Sequence, residues 1–489
     1  MSIRKLFIAN RAEIALRIVR TAQRMGITTV VPWHARDRFG PALQVANETV
    51  ELMGDPPVSA WLNPEALIKA ALDAGCDAIH PGYGFLSENA EFSRAVTNAG
   101  MIFVGPPADV IERMGDKITA RNFAAQHGVP VTPSAEEESD PTTFAERAVS
   151  IGFPLLIKGT AGGGGKGMRV VHSSSEVQEA FENAASEALK SFGNGEVFVE
   201  KFVTSPRHIE IQVLSDQFGN HLHLFERECS VQRRHQKVVE EAPSAILTPE
   251  LRSAMGEAAV KAAKSCGYVG AGTVEFIFDA SGAFYFLEMN TRLQVEHPVT
   301  EEVTGLDLVE EQIRIARGEA LRYRQEDLKL KGHAIELRVY AEDVSNNFVP
   351  DTGTLEVYRR PYGEGIRVDD GVREGQEVSV YYDPMLAKLI AWGPDRETAR
   401  LRLIKAIDSY VVVGVKTTLR FGRFVLEHPD FISGHFDTGF VAKNFSADSL
   451  QPRPENAQWA AALAESYRPE SLDNQDMPPV SRWKARYNP

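Results

Sequence analysis

From Glu288 to Glu296, polar residues alternate with Met289, Thr291, Leu293 and Val295. If the stretch is extended, its period of two sets Glu288, Asn290, Arg292, Gln294 and Glu296 on one face. An outward-facing edge strand is the ordinary meaning of such a pattern. Here FYFL just before it and VEFIF upstream are too apolar for an outer edge. With Ala280–Ala283 as the loop of a hairpin, Glu275 falls opposite Glu288. Two facing carboxylates repel and raise one another's pKa unless a cation lies between them. The oxygen-only donors Glu275, Glu288 and Asn290 favour Mg²⁺ or Mn²⁺ shared with nucleotide phosphates.

A second signal is the glycine run Gly162–Gly165, bracketed by Lys158 and Lys166. Consecutive glycines let backbone N–H groups approach polyphosphate oxygens with no Cβ in the way. It is not a Walker A loop, because Thr160 stands where the first Gly is required and Gly167 where Ser or Thr follows the Lys. Nor is it a dinucleotide fingerprint, since MRVV after it reads as strand, not helix. Strand patterns on both sides and the two lysines favour a phosphate-covering hairpin over a linker. A third cluster, Glu228 to Lys237, carries Arg233, Arg234 and Lys237. In a chain of net charge −14 it reads as a local anion site and not as a nucleic-acid stripe.

These residues need a scaffold. KLFIA, TTVVPW, DAIHPG and MIFVGP alternate with helical patterns and predict a parallel, doubly wound sheet. Asn10 is the expected N-cap of the first helix, with Glu13 as capping-box partner and Gly26 as its stop. A helical segment is expected over Met114 to Gly128, then a polar stretch. PLLIK, MRVV, EVFVEKF, HIEIQVL, HLHLFE, GTVEFIFD and AFYFLEMN follow closely, which predicts antiparallel sheets in an α+β arrangement. From Lys331 the pattern is strand-rich with Gly and Pro turns. A tail follows Phe445, with a short helical pattern at Asn456–Ser466.

The 489 residues suggest about three domains. Composition, 43% hydrophobic and 25% charged, is that of a globular protein. Cys76, Cys229 and Cys266 are scattered and odd in number, which gives no disulfide framework and predicts a reducing cytoplasm. No run approaches the roughly 18 apolar residues of a membrane span. The Arg-rich N-terminus opens with a strand pattern and carries an acid, so no targeting segment is expected.

At this point the residues match a known family. IANRAEIALRI, IHPGYGFLSEN, MGDK, GGGGKGMRVV, RHIEIQVL, ERECSVQRRHQKVVEEAP, GAGTVEF, EMNTRLQVEHPVTE and YYDPMLAKLI stand in family order from residue 3 to about 445. The chain closely resembles the biotin carboxylase component of biotin-dependent carboxylases, a branch of the ATP-grasp enzymes. That resemblance implies a Rossmann-like N-terminal domain (1–115) and an ATP-grasp domain (116–330) with a mobile lid at about 132–203. A β-rich C-terminal domain (331–446) would follow, whereas the tail (447–489) lies outside the resemblance and reads as a partner-docking segment from its prolines and short helical stretch. ATP would be contacted by Lys117, Lys158, Gly164, Gly165, Lys166, Glu200, Lys201, Phe202, Val203, His208, Gln232 and His235. Mg²⁺ or Mn²⁺ would be held by Glu275, Glu288 and Asn290. Bicarbonate would lie against Lys237, Arg292, Gln294 and Val295 with Glu296 as base, and biotin against Arg338 near Tyr83.

The implied partners are a biotin carboxyl carrier protein and a carboxyltransferase, with this chain a homodimer that binds neither nucleic acid nor membrane. An acyl-CoA carboxylase is the first expectation for the whole enzyme, with a two-subunit pyruvate carboxylase as the alternative. Rival readings are another ATP-grasp ligase and a non-catalytic nucleotide-sensing subunit. There is no Met-Lys-Met biotinylation motif, so biotin is expected on another polypeptide. Three positions depart from the family pattern. Ala12 replaces the usual Gly of ANRGEIA and reads as a helix-favouring change outside the site. Gly159-Thr160 stands where Ala is common, and Trp33-His34 is unusual.

Overall fold

The computed structural model describes residues 2–135, 141–159, 168–192, 195–234 and 236–450. The sequence-based readings for Gly164, Gly165, Lys166, His235 and the pattern at Asn456–Ser466 lie outside these residues. Among the described residues no helix is long and apolar enough to cross a membrane.

The first sheet is parallel, in the order Glu48–Glu51, Thr28–Trp33, Lys5–Ile8, Ala78–His80, Ile102–Phe103. Its central strand is buried at Leu6, Phe7 and Ile8, as a strand covered on both faces must be. Helix Ala12–Arg24 buries Ile14, Ile18 and Ala22 at helical spacing. The edge strand Glu48–Glu51 escaped the sequence reading. Its ETVE is charged and largely exposed, so it lacks the apolar signal of its neighbours.

Two expectations at this helix are corrected. Arg11, not Asn10, is the N-cap. Asn10 instead donates its amide to the carbonyls of Pro81 and Tyr83, each at 2.8 Å, and so holds the turn after Ala78–His80 against the central strand. Ala12 has φ +56°, in the left-handed region. Alanine is therefore strained here and not helix-favouring, at a cost of about 1–2 kcal/mol. The Gly371 backbone packs so close that a Cβ there would clash with the Ala12 carbonyl carbon and the Glu13 nitrogen.

The second sheet is antiparallel throughout. Its order is Phe284–Asn290, Gly270–Phe278, Arg207–Ser215, His221–Arg233, Gln236–Ala242, His333–Tyr340, Met385–Gly393, Ile366–Asp370. It runs unbroken across positions 330 and 331, because Gln236–Ala242 pairs with His333–Tyr340. Helix Pro249–Cys266 lies on this sheet with Ala258, Ala259, Ala262 and Ala263 buried. Small side chains let the helix approach closely.

A separate four-stranded sheet orders Ser134–Ala135, Val197–Lys201, Leu155–Gly159 and Arg169–Val171. It has its own small core with helices Pro141–Ile151 and Val177–Phe192. The segment expected as one helix from Met114 is two, Ala108–Gly115 and Lys117–Gln126. Asp116 breaks it by capping the second helix, accepting from Thr119 N at 2.8 Å. The region after Lys331 also contains helices Arg396–Ser409 and Leu419–Glu427, which its strand-like pattern did not reveal.

Candidate active site

The site is built on one hairpin. Phe278 faces Phe284, Ile277 faces Tyr285 and Phe276 faces Phe286, after which Glu275 faces Glu288. The facing carboxylates are as expected, but the route differs. Asp279 N donates to Ala283 O at 2.9 Å, so the loop is tighter than Ala280–Ala283. One extra residue, Leu287, then bulges out and restores the pairing. Without that bulge Glu275 would face Leu287, since a slip of one residue exchanges the two faces of a strand.

The register extends the row. Glu210 lies opposite Glu275 on the next strand, and Arg227 lies opposite Glu210 beyond it. A parallel row places Asn290, Thr273 and Gln212 side by side. Lys237 enters from strand Gln236–Ala242. Its Nζ is 2.8 Å from Glu275 Oε1, 2.7 Å from Glu296 Oε1 and hydrogen-bonded to Glu210. His208 Nε2 is 2.8 Å from the other oxygen of Glu275.

The face expected to be extended from Glu288 to Glu296 is strand only as far as Asn290. Beyond it the chain leaves the sheet, and Glu296 becomes the N-cap of helix His297–Thr304. The polar side chains still converge, because side chains from elsewhere hold this segment in place of a ladder. Thr291 N donates to Glu88 at 3.1 Å, and Arg292 pairs with Glu88 at 2.8 Å and with Asn290 Oδ1 at 3.0 Å. Gln294 donates to Glu275 at 2.8 Å and accepts from Arg227 at 2.9 Å. The Val295 carbonyl accepts from Lys388 at 2.9 Å. Glu296 takes Lys237 on one oxygen and Arg338 on the other, at 3.1 Å.

Burial makes these charges consequential. For Lys237 burial disfavours the ammonium, but Glu210, Glu275 and Glu296 outweigh it and raise the pKa well above the ordinary value. Burial pushes Glu275 up, yet Lys237 and His208 hold it well below the usual carboxylate range. Glu296 is likewise depressed, because Lys237, Arg338 and Arg227 reverse the effect of burial. Lys237, Glu275 and Glu296 are therefore held in their charged forms although buried.

Lys117 ion-pairs with Glu288 at 2.8 Å, on the far side of the carboxylate row. Lys158 donates to Glu200 at 2.7 Å, and Thr132 reaches the other oxygen at 3.1 Å. Lys201 turns away and donates to the carbonyls of Gly152 and Phe153 at 2.9 and 2.6 Å. Its neighbour Phe202 is tied through its N–H to Pro154 O at 3.0 Å, and Val203 follows at the end of the strand. Gln232 sits opposite Lys237 in the sheet. Arg338 also donates to Glu240 at 2.6 Å. The Tyr83 ring lies 5.8 Å from the ammonium of Lys388, which is directly opposite Arg338 in the sheet.

Sequence reasoning missed Glu210, Arg227, Glu88, Glu240 and Lys388. The alternation His208, Glu210, Gln212 could have flagged Glu210. Arg227 gave no local signal. It is fully buried and donates to Glu210, Gln212, Thr273, Gln294 and Thr300, so its role exists only once five segments meet. As a cation site, Glu275 and Glu288 facing one another with Asn290 beside them are hard oxygen donors that fit Mg²⁺ or Mn²⁺. The lysines on both carboxylates mark where positive charge is needed.

Comparison with known proteins gives three family matches that together cover most of the chain. Residues 2–111 match the biotin carboxylase N-terminal domain, and 116–324 the carbamoyl-phosphate synthase L chain ATP-binding domain. Residues 336–443 match the biotin carboxylase C-terminal domain. A biotin carboxylase of Nostoc sp. is 49% identical over 90% of this chain and 99% of its own length. The mitochondrial methylcrotonoyl-CoA carboxylase alpha chain of Mus musculus is 48% identical over 91% of this chain. Its own length is matched over only 62%. Among solved structures, the biotin carboxylase domain dimer of Hydrogenobacter thermophilus 2-oxoglutarate carboxylase was determined with MgADP, ADP and bicarbonate. It superposes with a TM-score of 0.85 at 44% identity, covering 93% of this chain and 100% of that one.

Proposed function

This chain belongs to the biotin carboxylase family, and from that premise we propose that it carboxylates the ureido nitrogen of biotin using ATP and bicarbonate. One observation carries the residue assignment. The Glu296 carboxylate is shared between Lys237, in the carboxylate row, and Arg338, on the sheet face near Tyr83. A base placed there stands between the residues assigned to phosphoryl transfer and the arginine assigned to biotin.

Glu296 takes the proton of bicarbonate, and the bicarbonate oxygen attacks the γ-phosphorus of ATP with ADP as leaving group. With Lys237 and Arg338 on it, Glu296 is a weak base. A bound bicarbonate competes for both cations and so raises its basicity when the proton must move. Lys237 and the lysines Lys117 and Lys158 face charge that grows on the phosphoryl oxygens, where positioning and electrostatics do most of the work. Arg292, Gln294 and the Val295 backbone would hold bicarbonate, and Gln232, His208 and the Glu200–Val203 hinge the nucleotide. A divalent cation held by Glu275, Glu288 and Asn290 supplies charge neutralisation of the phosphates. Carboxyphosphate then gives CO₂ and phosphate, and phosphate takes the biotin N1′ proton. Arg338 stabilises the ureido anion that attacks CO₂, and Tyr83 lines the same face.

We place the reaction in the cytoplasm, in a homodimer working with a biotin carrier and a carboxyltransferase. The relative solved as a domain dimer and the buried free thiols Cys76, Cys229 and Cys266 support this setting. An acyl-CoA is the proposed final acceptor, supported by the methylcrotonoyl-CoA carboxylase relative. One of the pyruvate carboxylase subunits of Methanothermobacter thermautotrophicus, 48% identical over 89% of both chains, favours a keto acid as the second reading. The test is ADP release by the purified chain with Mg²⁺. It should require bicarbonate and accelerate with free biotin. Equal ATP hydrolysis without bicarbonate, indifferent to biotin, would falsify the proposal.

A further inference from the structure

Lys388 is wholly buried on strand Met385–Gly393, and its side chain has no exposed surface. Burying an ammonium costs several kcal/mol, and a buried ion pair is a poor source of stability in return. Its contacts come from distant parts of the chain. Its Nζ lies 3.3 Å from Glu13 Oε2 on helix Ala12–Arg24 and donates to the Val295 carbonyl at 2.9 Å. The Tyr83 ring is 5.8 Å away. On the flanking strands Arg338 and Asp369 lie directly opposite, with Asp369 occupied by Arg367 at 2.7 Å. Glu336 lies two residues from Arg338 on the same face, and neither of its oxygens has a hydrogen-bond partner among the described residues.

The one hydrogen bond Lys388 makes to this loop falls on the residue before Glu296. Residues 291–295 have left the sheet, so no ladder fixes the backbone there. His297 Nδ1 binds the Gln294 carbonyl at 2.7 Å, and Lys388 binds the next one. Together these two contacts set the peptide planes from which the Glu296 side chain departs.

We propose that Lys388 is a positioning residue for carboxylation: its ammonium anchors the Val295 carbonyl and thereby aims the Glu296 carboxylate between Lys237 and Arg338, with Glu13 as counter-ion. This rests on the reading of Glu296 as the base. Glu13 is costly in its own right, since burial pushes it up to about 7 even with Lys388 beside it. Its counter-ion role accounts for a carboxylate whose two oxygens have no hydrogen-bond partner among the described residues.

The test uses the full chain and two variants. Lys388→Met keeps the length of the side chain but takes from the buried Glu13 its ion-pair partner, so it is expected to lower the melting temperature. The double variant Lys388→Met/Glu13→Gln removes both charges and should recover the melting temperature, because matched removal of a buried pair is close to neutral. If Lys388 only balances Glu13, kcat recovers as well. If it positions Glu296, the double variant keeps a kcat about 10- to 100-fold below the parent, with KM for ATP within about twofold. Amide exchange across residues 291–300 should also quicken in the double variant. A double variant with parental kcat and unchanged exchange there overturns the proposal. Failure of the parent chain to show bicarbonate-dependent ADP release would instead overturn the functional reading.

Discussion

Replacing Glu296 by Gln removes the proposed base while leaving every buried cation around it with a partner. Lys237 keeps Glu210 and Glu275, and Arg338 keeps Glu240. No charge is stranded, so the cost to stability is that of hydrogen bonds to a charged group, about 1–3 kcal/mol. The rate should respond far more strongly. Loss of a positioned general base costs about 10²–10⁴-fold, or about 3–5 kcal/mol of transition-state stabilisation. ATP affinity should scarcely change, because Lys117 pairs with Glu288 and Lys158 with Glu200, and neither touches Glu296. The assay is bicarbonate-dependent ADP release at saturating ATP, with and without free biotin, beside a melting curve for each protein. The expected result is a kcat lower by at least about 10²-fold with KM for ATP within about threefold. Normal turnover with a weakened ATP KM would refute the reasoning and move Glu296 to the nucleotide site.

Two further outcomes follow from strained or paired groups outside the catalytic row. Ala12 at φ +56° should make Ala12→Gly more stable by about 1 kcal/mol and Ala12→Val less stable, so melting temperatures should rank Gly, Ala, Val. A different order would mean the strain is relieved in solution. For Asp307, burial pushes the carboxyl up, but Arg17 and hydrogen bonds from Glu310 N and Thr21 hold it at about 2 against an ordinary 3.8. A depressed carboxyl contributes stability that is present above pH 4 and lost as pH falls through about 2, here about 2 kcal/mol. Asp307→Asn should therefore lower the urea midpoint at pH 7 and approach the parent as pH drops towards 2.5, and an equal gap at both pH values would refute the assignment.

Period-two and helical spacing in the sequence determined the parallel strands around Lys5–Ile8 and the antiparallel run from Arg207 to Asn290. These are local properties, because each strand's burial is written in its own alternation. The sequence also carried the family resemblance, and with it the fold class. The Leu287 bulge was not legible, since the sequence-based hairpin reached the right pair through a loop one residue too long and a ladder without a bulge. Nor was the exit from the sheet after Asn290, because LQVE alternates like a strand and side chains from distant segments, among them Glu88, Arg227 and Lys388, hold it otherwise. Ala12 read locally as a good helix former, and only the close approach of Gly371 shows the left-handed turn it must make. Glu210, Arg227 and Lys388 gain their meaning from partners 15 or more residues away in the chain. A buried charge is tolerable only where the fold brings its counter-ions together. That meeting is a property of the tertiary structure alone.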